Sequence, residues 1–279
     1  MNRIITWLKD HPLWNVLICI GYYLLVVLPH EWVGVTIAGL FAGKSRLYYN
    51  NVILALALGL ALVVFIPLVS RLLNHPRGKL GWIYLLSLIG LIILTFNTII
   101  IVNIELIHII QYAVFAILIY SLMNGYTVTL LLTSLVGAFD EAYQYFYLSP
   151  QRTDYYDLND VVFNTLGGAC GLLWLWSYGY QSAYRTISKI LRSWQLWLVI
   201  GTVLILTILI LVGKCAYFPM EGIDPLWTLV RKVPEGFWTS IDNNTITFHV
   251  TMPIEGLIYC TCLWVFYGTM DFTSSNRGV

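Results

Sequence analysis

Residues 137–173 read GAFDEAYQYFYLSPQRTDYYDLNDVVFNTLGGACGLL. The stretch holds five carboxylates, an arginine and several amides, in a chain that is 59% hydrophobic and only 10% charged. It runs between two apolar segments, and its charge gathers where one ends and the next begins. Working outward from it, the 279 residues have a mean hydropathy of +0.77. A water-soluble domain of this size does not carry so much apolar surface, whereas a polytopic membrane protein requires it. A formal net charge of +1 gives no bulk basic character and argues against a nucleic-acid partner. The five cysteines (Cys19, Cys170, Cys215, Cys260 and Cys262) lack metal-ligand spacing and read as small apolar residues rather than as a disulfide framework.

A bilayer core takes about 20 mostly apolar residues per helix. Eight segments meet that pattern: 13–28, 52–69, 80–101, 104–123, 126–145, 161–178, 196–212 and 254–272, with seven spans as the alternative count. The first apolar run has no small-residue cleavage site and reads as a retained span rather than a leader. The expected fold is an all-α polytopic transmembrane helix bundle. Residues 1–279 form a single domain in this reading, with a small extracytoplasmic cap at about 214–253. In that cap "TITFHV" alternates as a short strand or hairpin does, among turn-rich neighbours. "HEWVGVTIAGLFAGKSRLYYN", residues 30–50, suits an outer loop with an interfacial segment.

Basic residues in short loops set orientation. "RLLNHPRGK" (71–79) and "YRTISKILR" (184–192) each carry three and no acid, which places them and the N-terminus in the cytoplasm. The charged stretch at 149–160 then faces outward, and the chain lodges in a plasma membrane with lipids as its surroundings.

Three segments bring polar residues to that outer end. In "NIELIHIIQY" (103–112), Glu105, His108 and Tyr112 share one helical face by their spacing of three and four. "FDEAYQ" supplies Asp140, Glu141 and Gln144; "DLNDVVFN" supplies Asp160 and Asn164; Arg152 stands in the loop between. The glycines of "NTLGGACG" admit a close neighbour helix. Because successive spans alternate in direction, these residues reach the same depth and can meet in the outer leaflet. Ionisable groups in a membrane are normally paired, wet or functional. Each also has a plainer role: Asp140 or Glu141 as a span-end charge reaching water, Arg152 as a counter-ion to Asp154 or Asp157, Asp160 as a helix N-cap or first-turn acid, His108 as a bonded structural residue. His249, in the cap, is an additional candidate.

The ordered set of a His-then-Tyr helix, Asp-Glu-x-x-Gln, a loop Arg and Asp-x-x-x-Asn-x-x-Gly resembles the VanZ-like family of membrane proteins. The matching positions are His108, Tyr112, Asp140, Glu141, Gln144, Arg152, Asp160, Asn164 and Gly167, within a motif core of about 103–178. Family members often have lysine near Glu105, and many have about four spans, so the first three spans and the cap lie outside the likeness. The resemblance implies a bacterial plasma-membrane protein associated with the cell envelope and with resistance to teicoplanin and related glycopeptides.

Two functional classes fit these residues. One is an enzyme on a lipid-linked or phosphate-bearing envelope substrate. In it His108, Asp140, Glu141 and Asp160 serve as acid–base groups or hold a divalent cation, and Tyr112, Gln144, Arg152 and Asn164 bind substrate. No nucleophile elbow, His-Glu-x-x-His or phosphate-cradling glycine loop accompanies them. The other is a non-enzymatic membrane scaffold or binding protein with a structural polar core. A transporter fits less well, because the polar set lies near one face rather than at the midplane. The orientation is checked directly: a reporter fused after residue 150 is expected outside the cell, and cytoplasmic labelling of that loop overturns the outward-facing site.

Overall fold

Gly167 and Gly171 lie one helical turn apart, and the backbone of another helix occupies the space their side chains would need. A Cβ at Gly171 would stand 2.1 Å from the Ala113 carbonyl oxygen, and one at Gly167 would stand 2.5 Å from that of Ile109. Backbone cannot yield as a side-chain tip can, so only glycine permits this approach. The two helices so joined are α6 (Ile107–Met123) and α8 (Leu158–Ser177). They form the centre of the molecule in the computed structural model, which describes residues 2–27, 29–101, 103–148, 154–219, 225–234, 236–241 and 246–274.

In chain order, α1 (Asn2–Asp10) and α2 (Pro12–Tyr22) lead into a π-turn at Tyr23–Val27, and α3 (His30–Leu40) follows. The long α4 (Arg46–Leu73) and α5 (Gly78–Thr98) precede a 3-10 turn at Asn103–Leu106 that opens α6. After α6 come α7 (Tyr126–Tyr143) with a π-turn at Gln144–Leu148, then α8, the short α9 (Ile187–Leu191) and α10 (Trp194–Leu211). Four short strands precede α11 (Pro253–Gly268) and α12 (Met270–Thr273). The expected all-α architecture is present. The expected cap residues hold a parallel pair, β1 (Cys215–Ala216) with β2 (Trp227–Thr228), and an antiparallel pair, β3 (Thr239–Ile241) with β4 (Ile246–Phe248). The alternating "TITFHV" thus supplies a real strand.

Among the described residues, four helical segments are long and apolar enough to cross a membrane: α4, α5, Asn103–Met123 and α10. The count of eight rested on hydropathy, and the remaining four segments divide by length and composition. Helix α2 has 11 residues and α11 has 16, short for a crossing. Helices α7 and α8 are long enough at 18 and 20 residues but carry more polar side chains. Burial explains this composition. Nearly all of α8 is covered by protein, including Asn159, Asn164, Thr165 and Ser177. A helix wrapped by other helices need not be as apolar as one that meets lipid. Helices α4 and α10, by contrast, expose long rows of Leu, Ile and Val.

Polar contacts register the inner helices. Thr165 Oγ1 donates to Ser134 Oγ at 2.9 Å, and Trp264 Nε1 donates to the same hydroxyl at 2.9 Å, tying α8 and α11 to α7. At the other end of α7, Gly125 cannot cap the helix with a side chain, so Asp271 does so from α12. Its carboxylate accepts the N–H of Tyr126 at 2.7 Å and of Thr127 at 2.9 Å, and also the hydroxyls of Thr127 and Ser182. The cap is anchored by Asn159, whose amide donates to the carbonyls of Ile99 and His249 while its oxygen accepts from Thr251 N. His249 bonds the Phe237 carbonyl through Nδ1 and Glu255 through Nε2 at 2.9 Å, and stacks on the Phe237 ring. Its ring is thus engaged within the cap. Cys260 is buried and Cys262 exposed, as two faces of one helix require.

Gly171→Ala is expected to force α6 and α8 apart and to cost about 3 kcal/mol or more, the upper range for overpacking. Gly59→Ala, with nothing within 4 Å of the added methyl, is the control and should melt no lower than the parent. Thermal unfolding in detergent compares them. A Gly171→Ala protein as stable as the control would show that the close approach is not there.

Candidate functional site

The end of α7, the start of α8 and the start of α6 meet at one end of the bundle. The helix packing described above fixes their depth, because α6 is held against the glycine face of α8. Three side chains, one from each helix, come together: His108, Glu141 and Asp160 offer ligand atoms that all lie within 4.8 Å of one another. His108 is 2% exposed and Glu141 3% exposed, so neither reaches past the protein surface.

His108 is oriented from both sides of its ring. Nδ1 lies 2.9 Å from Asn164 Oδ1, and Nε2 lies 3.4 Å from Asp160 Oδ2. A side-chain oxygen can only accept, so the first contact requires the proton on Nδ1. The Nε2 lone pair then faces a carboxylate oxygen. Asn164 gains its place because Gly137 on α7 leaves room: a Cβ there would sit 2.9 Å from the Asn164 amide nitrogen. Among the described residues Asn164 Nδ2 and Asp160 Oδ1 are both buried without a hydrogen-bond partner.

The two acids of "FDEAYQ" part ways. Asp140 is fully buried and receives two phenols, Tyr112 at 3.4 Å and Tyr23 at 3.3 Å, both long for an O–H···O bond. Glu141 turns to the His108–Asp160 side and accepts from Gln144 Nε2 at 3.1 Å, a contact three residues along the chain. Neither acid is a span-end charge reaching water, the plainer role open to them. Gln144 positions Glu141 and adds nothing directly to the three-helix cluster.

Asp160 is relieved of capping. Asp157 is the N-cap of α8, its Oδ1 accepting from Asn159 N at 3.1 Å and from Asp160 N at 3.3 Å. Of the two plainer roles open to Asp160, the N-cap falls to Asp157, and Asp160 is the acid of the first turn of α8. Burial and the neighbouring Asp160 carboxylate push the Asp157 carboxyl well above its ordinary range, against the pull of those two N–H groups. Glu105 departs from the expected face as well. It lies in the 3-10 turn, where its Oε2 accepts from Ile101 N at 2.9 Å, so α6 begins after it and helical spacing does not carry it to His108. Arg152 lies outside the described residues.

Sequence reasoning missed Tyr23. It comes from the π-turn after α2 and stands 117 positions from Asp140, with no motif to point to it. It also gave no contact between the cap and the loop that leads into α8. Tyr156 N donates to Leu229 O at 2.8 Å, Arg231 N donates to Asp154 O at 2.7 Å, and the Arg231 guanidinium lies over the Tyr145 ring and donates to the Tyr145 carbonyl. The cap strands thus grip the loop that leads into α8. No protein-family model, curated protein or solved structure matches this chain.

The arrangement ranks two substitutions. Tyr112→Phe removes one long bond from an acid that keeps a second phenol, and is expected to cost about 1 kcal/mol. Asn164→Ala strips the acceptor from a buried imidazole N–H and should cost about 2 kcal/mol. Equilibrium unfolding of both in detergent checks the order, and a reversed order refutes the His108–Asn164 bond as the tighter constraint.

Proposed function

We propose that this chain is a multi-pass plasma-membrane protein of VanZ-like type. Its outward-facing cluster acts on a lipid-linked or phosphate-bearing substrate of the cell envelope and protects the cell against teicoplanin-like glycopeptides. The observation that carries this reading is the convergence of His108, Glu141 and Asp160 from three different helices. Each such group is costly to place within a bundle, and the grouping of two acids with an imidazole supplies both a proton acceptor and a proton donor at one point. Glu141 and Asp160 are the acid–base pair in this reading and His108 is their partner. Asn164 orients the imidazole, Asp140 with Tyr112 forms the floor, and Arg152 binds the substrate's anionic group through its planar fork.

One observation favours the second class, a scaffold without catalysis. Asp140 is met by Tyr23 and Tyr112, and His108 by Asn164, as in a polar core that holds helices in register. Neutral isosteres distinguish the two. Glu141→Gln and Asp160→Asn keep size and most hydrogen bonding, so a scaffold should tolerate or even gain from them, since an unpaired buried charge is unfavourable. As parts of an active site they should insert and fold normally yet abolish glycopeptide protection in a susceptible bacterial host. Arg152→Lys should weaken protection by losing the bidentate contact. Full protection by well-folded Glu141→Gln and Asp160→Asn variants would sink the active-site reading.

A further inference from the structure

We propose that His108 Nε2, Glu141 and Asp160 bind a divalent cation of the Zn²⁺ or Mn²⁺ kind. This goes further than the reading of the cluster as an envelope site, on which it rests.

Three features point to an ion. The first is spacing. Two ligands on a tetrahedral ion with bonds of about 2.1 Å stand about 3.4 Å apart. His108 Nε2 and Asp160 Oδ2 are already 3.4 Å apart, and Glu141 completes a set within 4.8 Å. The third ligand closes by a modest side-chain rotation.

The second feature is polarity. With its proton on Nδ1, directed at Asn164 Oδ1, His108 presents a lone pair to a carboxylate oxygen. Two acceptors facing each other at that distance must share a proton or hold a cation between them. The Asn164 contact has the form of an outer-shell support for a metal-bound histidine, in which the non-ligating ring nitrogen donates to an oxygen and fixes the tautomer.

The third feature is the orphaned oxygen. Among the described residues Asp160 Oδ1 is buried with no hydrogen-bond partner, and Asp157 has taken the helix cap that could have employed it. Buried carboxylate oxygens are rarely left unused. A cation bound in a bidentate or shifted monodentate mode gives this atom its partner.

The donor set selects the ion class. One imidazole nitrogen and two carboxylate oxygens suit Zn²⁺, Mn²⁺ or Fe²⁺ better than Ca²⁺, which takes six to eight oxygens, or Mg²⁺, which prefers oxygen and water. Three protein ligands leave a position for water or for a substrate oxygen, the pattern of a working rather than a purely structural site.

The test uses the full chain in lipid nanodiscs, stripped with a chelator and then titrated with Mn²⁺ or Zn²⁺. Calorimetry is expected to give one ion per chain, and the Mn²⁺ form should show a nitrogen coupling from one imidazole in pulsed paramagnetic resonance. His108→Gln and Asp160→Asn should each weaken binding by about 100-fold, and Asn164→Ala by about 10-fold or more as an outer-shell change. Thermal unfolding identifies any variant that fails to fold. Glu141→Gln, on a different helix, then serves in its place and should also lose affinity. Absence of ion uptake by the parent protein overturns the proposal, and so does binding that survives in folded His108→Gln or Asp160→Asn. In the ion-free case the Asn164 amide is turned over and Nε2 carries its proton to Asp160, closing the triad without a metal. Because binding is measured without envelope substrate, the two readings fail separately. Ion binding beside undiminished protection in Glu141→Gln cells removes the envelope function and keeps the ion; lost protection with no ion bound does the reverse.

Discussion

The approach of α6 to α8 governs the rest of this molecule. Carbonyl oxygens of Ile109 and Ala113 press against the bare α-carbons of Gly167 and Gly171, so the two helix axes cannot slide or rotate without collision. In lipid there is little hydrophobic drive to bring helices together, and close van der Waals contact must supply much of the association. The same contact determines chemistry. His108 stands immediately before Ile109, and Asn164 lies less than a turn before Gly167, so the packed glycines hold the imidazole and its amide partner in register. Residues commonly read as packing therefore position the polar cluster.

The cap depends on this centre in turn. Asn159 lies at the start of α8 and spends both amide hydrogens and its oxygen on Ile99, just past α5, and on His249 and Thr251 between β4 and α11. Tyr145, at the end of α7, bonds the Thr228 carbonyl at 2.7 Å through its hydroxyl. Cap, loop and site are thus linked through a handful of polar side chains at the same end of the bundle, while the lipid-facing helices α4 and α10 remain peripheral.

Much of this was legible in the sequence. Because apolar length is a direct demand of the bilayer, hydropathy located α5, α7, α8 and α10 to within three residues, though it began α4 six residues late. Helical spacing with alternating direction was enough to bring His108, Asp140, Glu141, Asp160 and Asn164 to one end. What it could not resolve was the division of labour among acids. Whether Asp157 or Asp160 caps α8 depends on where the helix begins, and boundaries are the least certain part of any sequence reading. Glu105 was misplaced for the same reason, since a 3-10 turn replaced the first turn of an α-helix. The burial of α8 was hidden because its polarity looked like a weak span, whereas it marks a helix surrounded by other helices. Tyr23 and Asp271 act across more than a hundred residues, and no local pattern announces such pairs.

Asp271 has a consequence for how the molecule is made. The first N–H groups of any helix lack intrahelical acceptors, and those of α7 find theirs only in a carboxylate placed 145 residues later in the chain. During synthesis α7 emerges well before that carboxylate exists, with its first turn open. The central helices can gather, but the first turn of α7 closes only when α12 arrives beside Ser182 and Thr127. Completion of the bundle is thereby timed to the emergence of its C-terminal helix, so a chain released before residue 271 would carry every group of the polar cluster on a scaffold whose opposite end had never been fastened.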